Sequence, residues 1–138
     1  MLDYVRSDLF RYYGKCDFLT FMCAYFRNRT FRFQVAFRLA QGKGLTKLFG
    51  MLLWRVNRMR KQIQLPLLTR VGYGLYIGHG GPIIVNPTAI IGNNVNLSQF
   101  TTIGSNKGKA AVIGDNVYIG PNVCYVLLKT LKSVATLQ

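Results

Sequence analysis

The chain contains one histidine, His79, which lies in the glycine-rich segment GLYIGHGG at residues 74–81. A neutral imidazole within hydrogen-bond reach of an alcohol can take the hydroxyl proton while the oxygen forms a new bond. The same side chain can also make an ordinary structural hydrogen bond, so a lone histidine leaves both roles open. The elements around His79 have to be worked out before either role can be preferred.

An aliphatic residue followed by glycine or serine recurs on both sides of His79. Steps of six residues run from 71 to 77, from 91 to 97, from 97 to 103 and from 113 to 119. The pairs are Val71-Gly72, Ile77-Gly78, Ile91-Gly92, Leu97-Ser98, Ile103-Gly104, Ile113-Gly114 and Ile119-Gly120. A period of six fits neither a helix nor a hairpin. It predicts a solenoid of short stacked strands whose aliphatic residues point inward.

Two steps depart from this period. The step from Ile77 to Ile91 is fourteen residues and the step from Ile103 to Ile113 is ten. Extra residues in a solenoid leave the coil as loops, and loops on a rigid repeat commonly carry function. The first predicted loop lies just after His79, and the second, SNKGKAA, contains Lys107 and Lys109.

Residues 1–64 have the pattern of a helical region. Asp17 is the predicted N-cap of the helix in FLTFMCAYF, Thr30 is that of the helix in FRFQVAFRLAQ, and GKG at 42–44 ends the latter. In the third predicted helix, LTKLFGMLLWRVNRMRKQI, apolar residues recur at helical spacing on one face. These residues are Leu48, Leu52, Val56, Met59 and Ile63. We therefore predict a helical region over 1–64, a solenoid domain over 65–124 and an atypical tail over 125–138.

The chain is strongly basic, with 18 Lys and Arg against 4 Asp and Glu and a formal charge of +14. Such a chain attracts polyanions, anionic surfaces or phosphate-bearing small molecules. Nucleic acid is not expected, because no helix-turn-helix, zinc knuckle or RNP-type pattern is present. For the helical region, a bundle or trimer contact with a solvated cationic face and an anionic membrane surface both remain open.

The three cysteines, Cys16, Cys23 and Cys124, have neither CxxC spacing nor histidine partners, so reduced thiols are expected and a zinc site is not. The first fifteen residues lack the apolar run of a signal peptide, and no stretch reaches the roughly 18 apolar residues of a spanning helix. These features predict a cytoplasmic chain, either soluble or peripheral to a membrane.

The run RVGYGLYIGHGGPIIVNPTAIIGNNVNLSQFTTIG, followed by IGDNVYIGPNV, resembles the hexapeptide-repeat acyltransferases. Within that family it is most similar to the serine O-acetyltransferases and their polysaccharide O-acetyltransferase relatives, over residues 63–124. The resemblance implies an α+β fold, with a helical N-terminal region followed by a left-handed parallel β-helix. It also implies a homotrimer or a dimer of trimers that binds acetyl-CoA in grooves between neighbouring β-helices and uses no metal.

The resemblance assigns roles to individual residues. His79 is expected to be the general base, while Gly80 and Gly81 shape an oxyanion site. Polar side chains on neighbouring coils are expected to orient the acceptor, and a further set is expected to border the CoA groove. The acceptor set is Asn86 and Gln99. The groove set is Lys107, Lys109, Gly120 and Pro121.

Three features of the serine-specific pattern are missing from this sequence. Gly78 stands where those enzymes have an acidic residue, and Gln64 stands where a carboxylate would hold the histidine. Lys109 and Ala110 occupy the place of an arginine and a second histidine. A serine O-acetyltransferase-like activity is expected, and a sugar or capsular polysaccharide hydroxyl is the alternative acceptor. A non-catalytic chain that binds a membrane surface or an oligomer is the alternative of another class.

After IGPNVC the repeat stops, and the tail YVLLKTLKSVATLQ follows. One interpretation is an amphipathic helix that caps the open end of the solenoid. A shift of one reading frame from the third base of the Tyr125 codon permits the string FIENVKIGSNVT, which restores the six-residue repeat. The sequence therefore predicts a frameshifted and truncated acetyltransferase, which would lack part of the cofactor groove and could be inactive.

Overall fold

A computed structural model of the chain describes residues 2–106 and 108–128. Over these residues, four α-helices are followed by ten short strands. The helices are α1 (Leu2–Tyr13), α2 (Phe18–Arg27), α3 (Arg29–Ala40) and α4 (Gly44–Lys61). The strands are β1 (Ile63–Gln64), β2 (Arg70–Val71), β3 (Tyr76–Ile77), β4 (Ile83–Val85), β5 (Ile90–Ile91), β6 (Asn96–Leu97), β7 (Thr101–Asn106), β8 (Val112–Ile113), β9 (Tyr118–Ile119) and β10 (Cys124–Leu128).

The strands form three parallel sheets, in the orders β1-β4-β7-β10, β2-β5-β8 and β3-β6-β9. Each strand therefore pairs with the strand three places later in the chain, and the backbone visits the three sheets in turn. This arrangement is a parallel β-solenoid of about three turns behind four helices. The predicted α+β architecture is confirmed.

The repeat positions fill the interior of the solenoid, as their six-residue spacing predicts. All seven aliphatic residues are at most 8% exposed. They are Val71, Ile77, Ile91, Leu97, Ile103, Ile113 and Ile119. Because all except Ile103 lie on strands of two residues that turn a corner soon afterwards, only one side chain of each such strand faces inward.

The predicted loop near His79 is an insertion of two residues at one corner. Ile77 pairs with Leu97 and Ile83 pairs with Thr101. Five residues lie between Ile77 and Ile83, whereas only three lie between their partners. The extra pair, His79 and Gly80, is exposed at the corner between β3 and β4.

Side chains of the helical region cap the backbone of the first coil. The Tyr12 hydroxyl accepts a hydrogen bond from the Ile77 amide and donates one to the Ile77 carbonyl, both at 2.9 Å. Gln34 donates to the Leu75 carbonyl at 2.7 Å, and Trp54 donates to the Leu65 carbonyl at 3.2 Å. These contacts satisfy groups that would otherwise present an open strand edge.

A buried ion pair lies at the centre of this cap. Arg38 donates to both carboxylate oxygens of Asp8, at 2.9 and 3.1 Å, and also to the carbonyls of Val71 and Gly72. Burial raises the pKa of Asp8, against the lowering effect of its hydrogen bond to Arg38. A raised folded-state pKa means that the Asp8 contribution to stability is fully present below pH 3.8, the ordinary pKa of this side chain, and is lost as the pH rises through the folded-state pKa.

Two of the predicted helix ends differ from the structure. The Asp17 side chain caps α2 through the Thr20 amide, as predicted. The N-cap of α3 is Asn28 and not Thr30, because the Asn28 side chain accepts from two amides of the first turn while Thr30 is buried inside it. Ile63 does not belong to α4, since Gln62 has φ 55° and ends that helix.

The tail begins as a strand. In β10, Cys124 lies opposite Thr102 and Tyr125 opposite Ile103 on β7, so the coil continues across the predicted boundary at residue 124. A capping helix is therefore not present over residues 125–128. The rest of that prediction and most of the predicted frameshifted segment concern residues 129–138, which lie outside the described residues.

Cys16, Cys23 and Cys124 are free and exposed. None of the described helices is both long and apolar enough to cross a membrane.

Candidate functional site

His79 stands on the corner between β3 and β4 with a left-handed backbone. Its φ is 59°, and that of Gly80 is 48°. Non-glycine residues rarely adopt this region, and it often marks functional sites. At the matching corner of the next coil, however, Phe100 has φ 60°. The left-handed backbone is therefore a property of the corner, whereas the outward displacement of His79 comes from the two inserted residues.

The His79 corner opens into a cleft of about 380 Å³ between the solenoid and the α2–α3 junction. Its lining comes from His79 and Gly80 on one side and from the helical region on the other. The lining residues are Tyr13, Arg27, Asn28, Arg29, Thr30, His79 and Gly80. Two of them are arginines and none is a carboxylate, so the cleft is electropositive.

The hydrogen bonds of Asn28 and Thr30 fix the wall that faces His79. Asn28 accepts from the amides of Thr30 and Phe31 at 3.0 and 3.1 Å and thereby begins α3. Its side-chain oxygen also accepts from the Thr30 hydroxyl at 2.7 Å, and that hydroxyl lies 3.3 Å from the Tyr12 hydroxyl. Because Tyr12 bonds to Ile77 as well, one connected network joins the helix start to the strand that precedes His79.

The two glycines after His79 differ in what they offer an oxyanion. The Gly80 amide donates to the Gly78 carbonyl at 2.9 Å, which commits that N–H to the turn. At Gly81, an added Cβ would lie 2.5 Å from the Cβ of Gln99, so only glycine allows this close stacking of two coils. An oxyanion site at this corner therefore depends on the Gly81 amide.

Gln99 lies one coil beyond the His79 corner, directly against Gly81. Adjacent strands are about 4.8 Å apart, so Gln99 lies close to the His79 corner, although it is not among the residues that line the cleft. Its side-chain oxygen is buried and has no hydrogen-bond partner within residues 2–106 and 108–128. A buried, unpaired acceptor is costly and is suited to receive a donor such as an alcohol hydroxyl.

The remaining predicted site residues divide between two edges of the solenoid. Gly120 and Pro121 follow β9 as Gln99 follows β6, on the same edge as His79. Asn86 and Lys109 lie at the corner between the first and second sheets, on a different edge. Lys107 lies outside the described residues.

Asn86 is not placed to orient an acceptor beside His79. Its side-chain oxygen accepts from the Thr88 amide at 2.9 Å and from the Thr88 hydroxyl at 2.7 Å, which stabilises its own turn. Within one chain Asn86 is therefore a turn residue on another edge, and its role towards the acceptor stays a prediction.

Gln64 is also separate from the His79 cleft. It is exposed on β1 and lines a second cleft together with Trp54, Arg55 and Arg58. The structure therefore offers no substitute at this position for the missing carboxylate.

Sequence reasoning missed the contribution of the helical region to the cleft. Tyr13, Arg27 and Arg29 lie about fifty or more positions before His79 and belong to no recognisable motif. Their proximity depends on how α1 and α3 dock on the first coil, and no spacing within the sequence signals that docking.

The fold is that of solved serine acetyltransferases. The enzyme from Brucella abortus strain S19 matches with a TM-score of 0.70 and 25% identity, over 89% of this chain and 53% of that one. The Neisseria gonorrhoeae enzyme in complex with serine matches with a TM-score of 0.67 and 25% identity, over 87% and 52%. The soybean enzyme complexed with serine matches with a TM-score of 0.70 and 22% identity, over 88% and 53%. The resemblance to hexapeptide-repeat acyltransferases is thereby confirmed.

Sequence comparison alone gives a shorter match. Serine acetyltransferase 3, mitochondrial, of Arabidopsis thaliana is 32% identical over 59 residues, which cover 40% of this chain and 15% of that protein. No protein-family model matches the chain. The chain spans about half the length of the solved relatives.

Proposed function

We propose that this chain is an acetyl-CoA-dependent O-acetyltransferase in which His79 is the general base. The observation that carries the proposal is the exposed His79 on a two-residue insertion, facing an electropositive cleft. The similarity in fold to serine acetyltransferases supports the same class of reaction.

In the proposed reaction, the His79 imidazole takes the proton of the acceptor hydroxyl as its oxygen attacks the thioester carbonyl of acetyl-CoA. The Gly81 amide donates to the oxyanion of the tetrahedral intermediate, and the side-chain oxygen of Gln99 accepts from a second polar hydrogen of the acceptor, an N–H of serine or a further O–H of a sugar. The intermediate then collapses, the carbon–sulfur bond breaks, and the imidazolium returns its proton to the leaving thiolate. No covalent enzyme intermediate is required.

We also propose that the cofactor groove forms between protomers of a homotrimer. Its proposed residues lie on two edges of one solenoid, with Gly120 and Pro121 on the His79 edge and Lys109 on another. In a trimer, different edges of neighbouring protomers would meet and could contact the same CoA molecule. The charge of +14 would attract the phosphates of CoA.

The acceptor is proposed to be serine or a sugar hydroxyl. The charge of the cleft bears on the choice between these two acceptors. Arg27 and Arg29 can pair with a carboxylate or a phosphate. The lining has no carboxylate to pair with an ammonium group, which favours an acidic or phosphorylated sugar over a zwitterionic amino acid. The relatives of known structure support serine as the first acceptor to test.

The test is the release of CoA by the purified chain with serine and with neutral and phosphorylated sugars. We expect His79→Ala to lower acetyl transfer at least about 100-fold, as for loss of a general base. Asn94→Ala is the matched control, because Asn94 is also exposed with a positive φ, of 55°, but lies at another corner. Equal activity of the His79 variant and the wild type would contradict the proposal, as would a wild type that transfers acetyl to none of these acceptors.

A further inference from the structure

Helix α4 carries a stripe of apolar side chains that faces away from the protein. Its members recur three or four residues apart and fall within an arc of about 100° around the helix axis. They are 41% to 84% exposed. They are Leu45, Leu48, Phe49, Leu52, Val56 and Met59.

The opposite face of α4 holds the helix in place. Gly50 packs directly against the backbone of Leu39 and Ala40 on α3, so closely that a Cβ would not fit. Trp54 packs against the solenoid core and donates to the Leu65 carbonyl. Amphipathic helices normally bury their apolar stripe against the core, but α4 is fixed with this stripe outward. The stripe therefore requires a partner other than the described part of its own chain.

The charges around the stripe indicate the chemistry of that partner. Residues 18–114 contain no Asp or Glu, and residues 44–61 contain five Lys and Arg. Lys47, Arg55 and Arg58 are exposed, and Arg58 lies over the Trp54 ring at 5.2 Å. Two copies of α4 in contact would bring two sets of these cations within about one Debye length of each other. An anionic lipid surface accepts the apolar stripe and the cations together.

We infer that α4 docks this protein on an anionic phospholipid bilayer, with the apolar stripe at the acyl boundary and the cations among the headgroups. This inference goes beyond the proposed acetyl transfer and does not depend on it. A second copy of the chain is the competing occupant.

The test is flotation of the full chain with phosphatidylcholine vesicles that contain or lack phosphatidylglycerol. We expect binding only to the anionic vesicles. The variant Leu48→Gln/Leu52→Gln should lower partitioning about tenfold or more, because two leucine side chains that would be partly inserted into the lipid are replaced by polar ones. Phe18→Gln/Leu19→Gln on α2 is the matched control, since these residues are 78% and 72% exposed on another helix. It should bind as the wild type does.

A second variant tests the charges, and light scattering tests the competing occupant. Lys47→Gln/Arg55→Gln should weaken the preference for anionic vesicles and make vesicle binding less sensitive to salt. Circular dichroism melting identifies any variant that does not fold. If the variant Leu48→Gln/Leu52→Gln does not fold, Met59→Gln is tested in its place. No binding to the anionic vesicles, equal loss in the α2 control, or a leucine variant that changes the oligomeric state without changing flotation would each overturn the inference.

Discussion

At the scale of single residues, a substitution at Gln99 can distinguish a role in substrate binding from a role in stabilising the fold. Its buried oxygen lacks a hydrogen-bond partner in the part of the chain that the structure describes, while its Cβ packs against Gly81. Leaving a buried acceptor unpaired costs free energy, so the folded chain alone gives no stability reason for an amide here. An acceptor hydroxyl that supplies the missing donor gives a functional reason.

We therefore expect Gln99→Leu to raise the KM for the acceptor by about tenfold, the value of one hydrogen bond, and to leave the KM for acetyl-CoA unchanged. The free energy of unfolding should stay the same or increase slightly, because the unpaired oxygen is removed. Steady-state kinetics and urea denaturation measure the two effects. Gln64→Leu, in the second cleft, is the control and should change neither KM; a loss of stability without a change in KM for Gln99→Leu would indicate a purely structural role.

Residues placed by local, repeating interactions can be predicted from the sequence, whereas residues placed by contacts distant in sequence cannot. Ile77 and Leu97 are predicted correctly because burial along a solenoid repeats every few residues. Arg27 and Arg29 line the cleft because α1 and α3 dock on the first coil, through contacts such as that of Tyr12 with Ile77. Such long-range contacts leave no periodic trace in the sequence, so this wall of the site is visible only in the structure.

At the scale of elements, the docking of α1 and α3 on the first coil includes a buried pair of charged side chains, Asp8 and Arg38. Asp8 and Arg38 are 1% and 3% exposed, and each also bonds to the coil backbone. Removal of one member of a buried ion pair leaves the other charge unpaired in the interior. The pair therefore makes the docking of these helices specific, although its net contribution to stability is limited by the cost of burial.

We expect Asp8→Ala to lower the free energy of unfolding by about 3–5 kcal/mol. The double variant Asp8→Leu/Arg38→Met should recover part of that loss, because no charge is then left unpaired. Urea denaturation of the wild type, Asp8→Leu, Arg38→Met and the double variant gives the coupling free energy. Strict additivity of the single variants would show that the two side chains act independently. Asp115→Ala, at an exposed corner, is the control and should have a much smaller effect.

The elements themselves are mostly predictable, whereas their orientation is not. Local caps such as Asp17 and the repeat spacing identify α2 and the coils from sequence alone. The pattern also places the stripe of α4 on one face. It cannot show that this face points outward, because that depends on the contact between Gly50 and α3.

At the scale of the whole molecule, α3 shares the hydrophobic core of the solenoid, while its other face forms a second cluster with α1 and α2. Phe33 and Phe37 of α3 are fully buried in the same cluster as Ile63, Leu75 and Ile77 of the first coil. The two predicted domains are therefore not independent folding units. The helical region covers the end of the first coil on which a preceding coil would otherwise stack.

A fragment that begins at residue 62 should consequently aggregate, because its first coil exposes strand edges and the apolar surface that α3 covers. Light scattering and circular dichroism of the purified fragment, with the full chain as control, measure this. A monomeric fragment with a cooperative thermal transition would contradict the shared core and would show that the solenoid stands alone.

The cap of Tyr12, Gln34 and Arg38 on the first coil also has a consequence for biosynthesis. The N-terminal helices leave the ribosome before any coil does and are rich in local contacts, so they can form early. They then present donors and acceptors that match the backbone of the first coil at β2 and β3. Each later coil finds its predecessor already in place. We therefore expect this chain to assemble vectorially during translation, with the helices acting as the seed from which the coils grow.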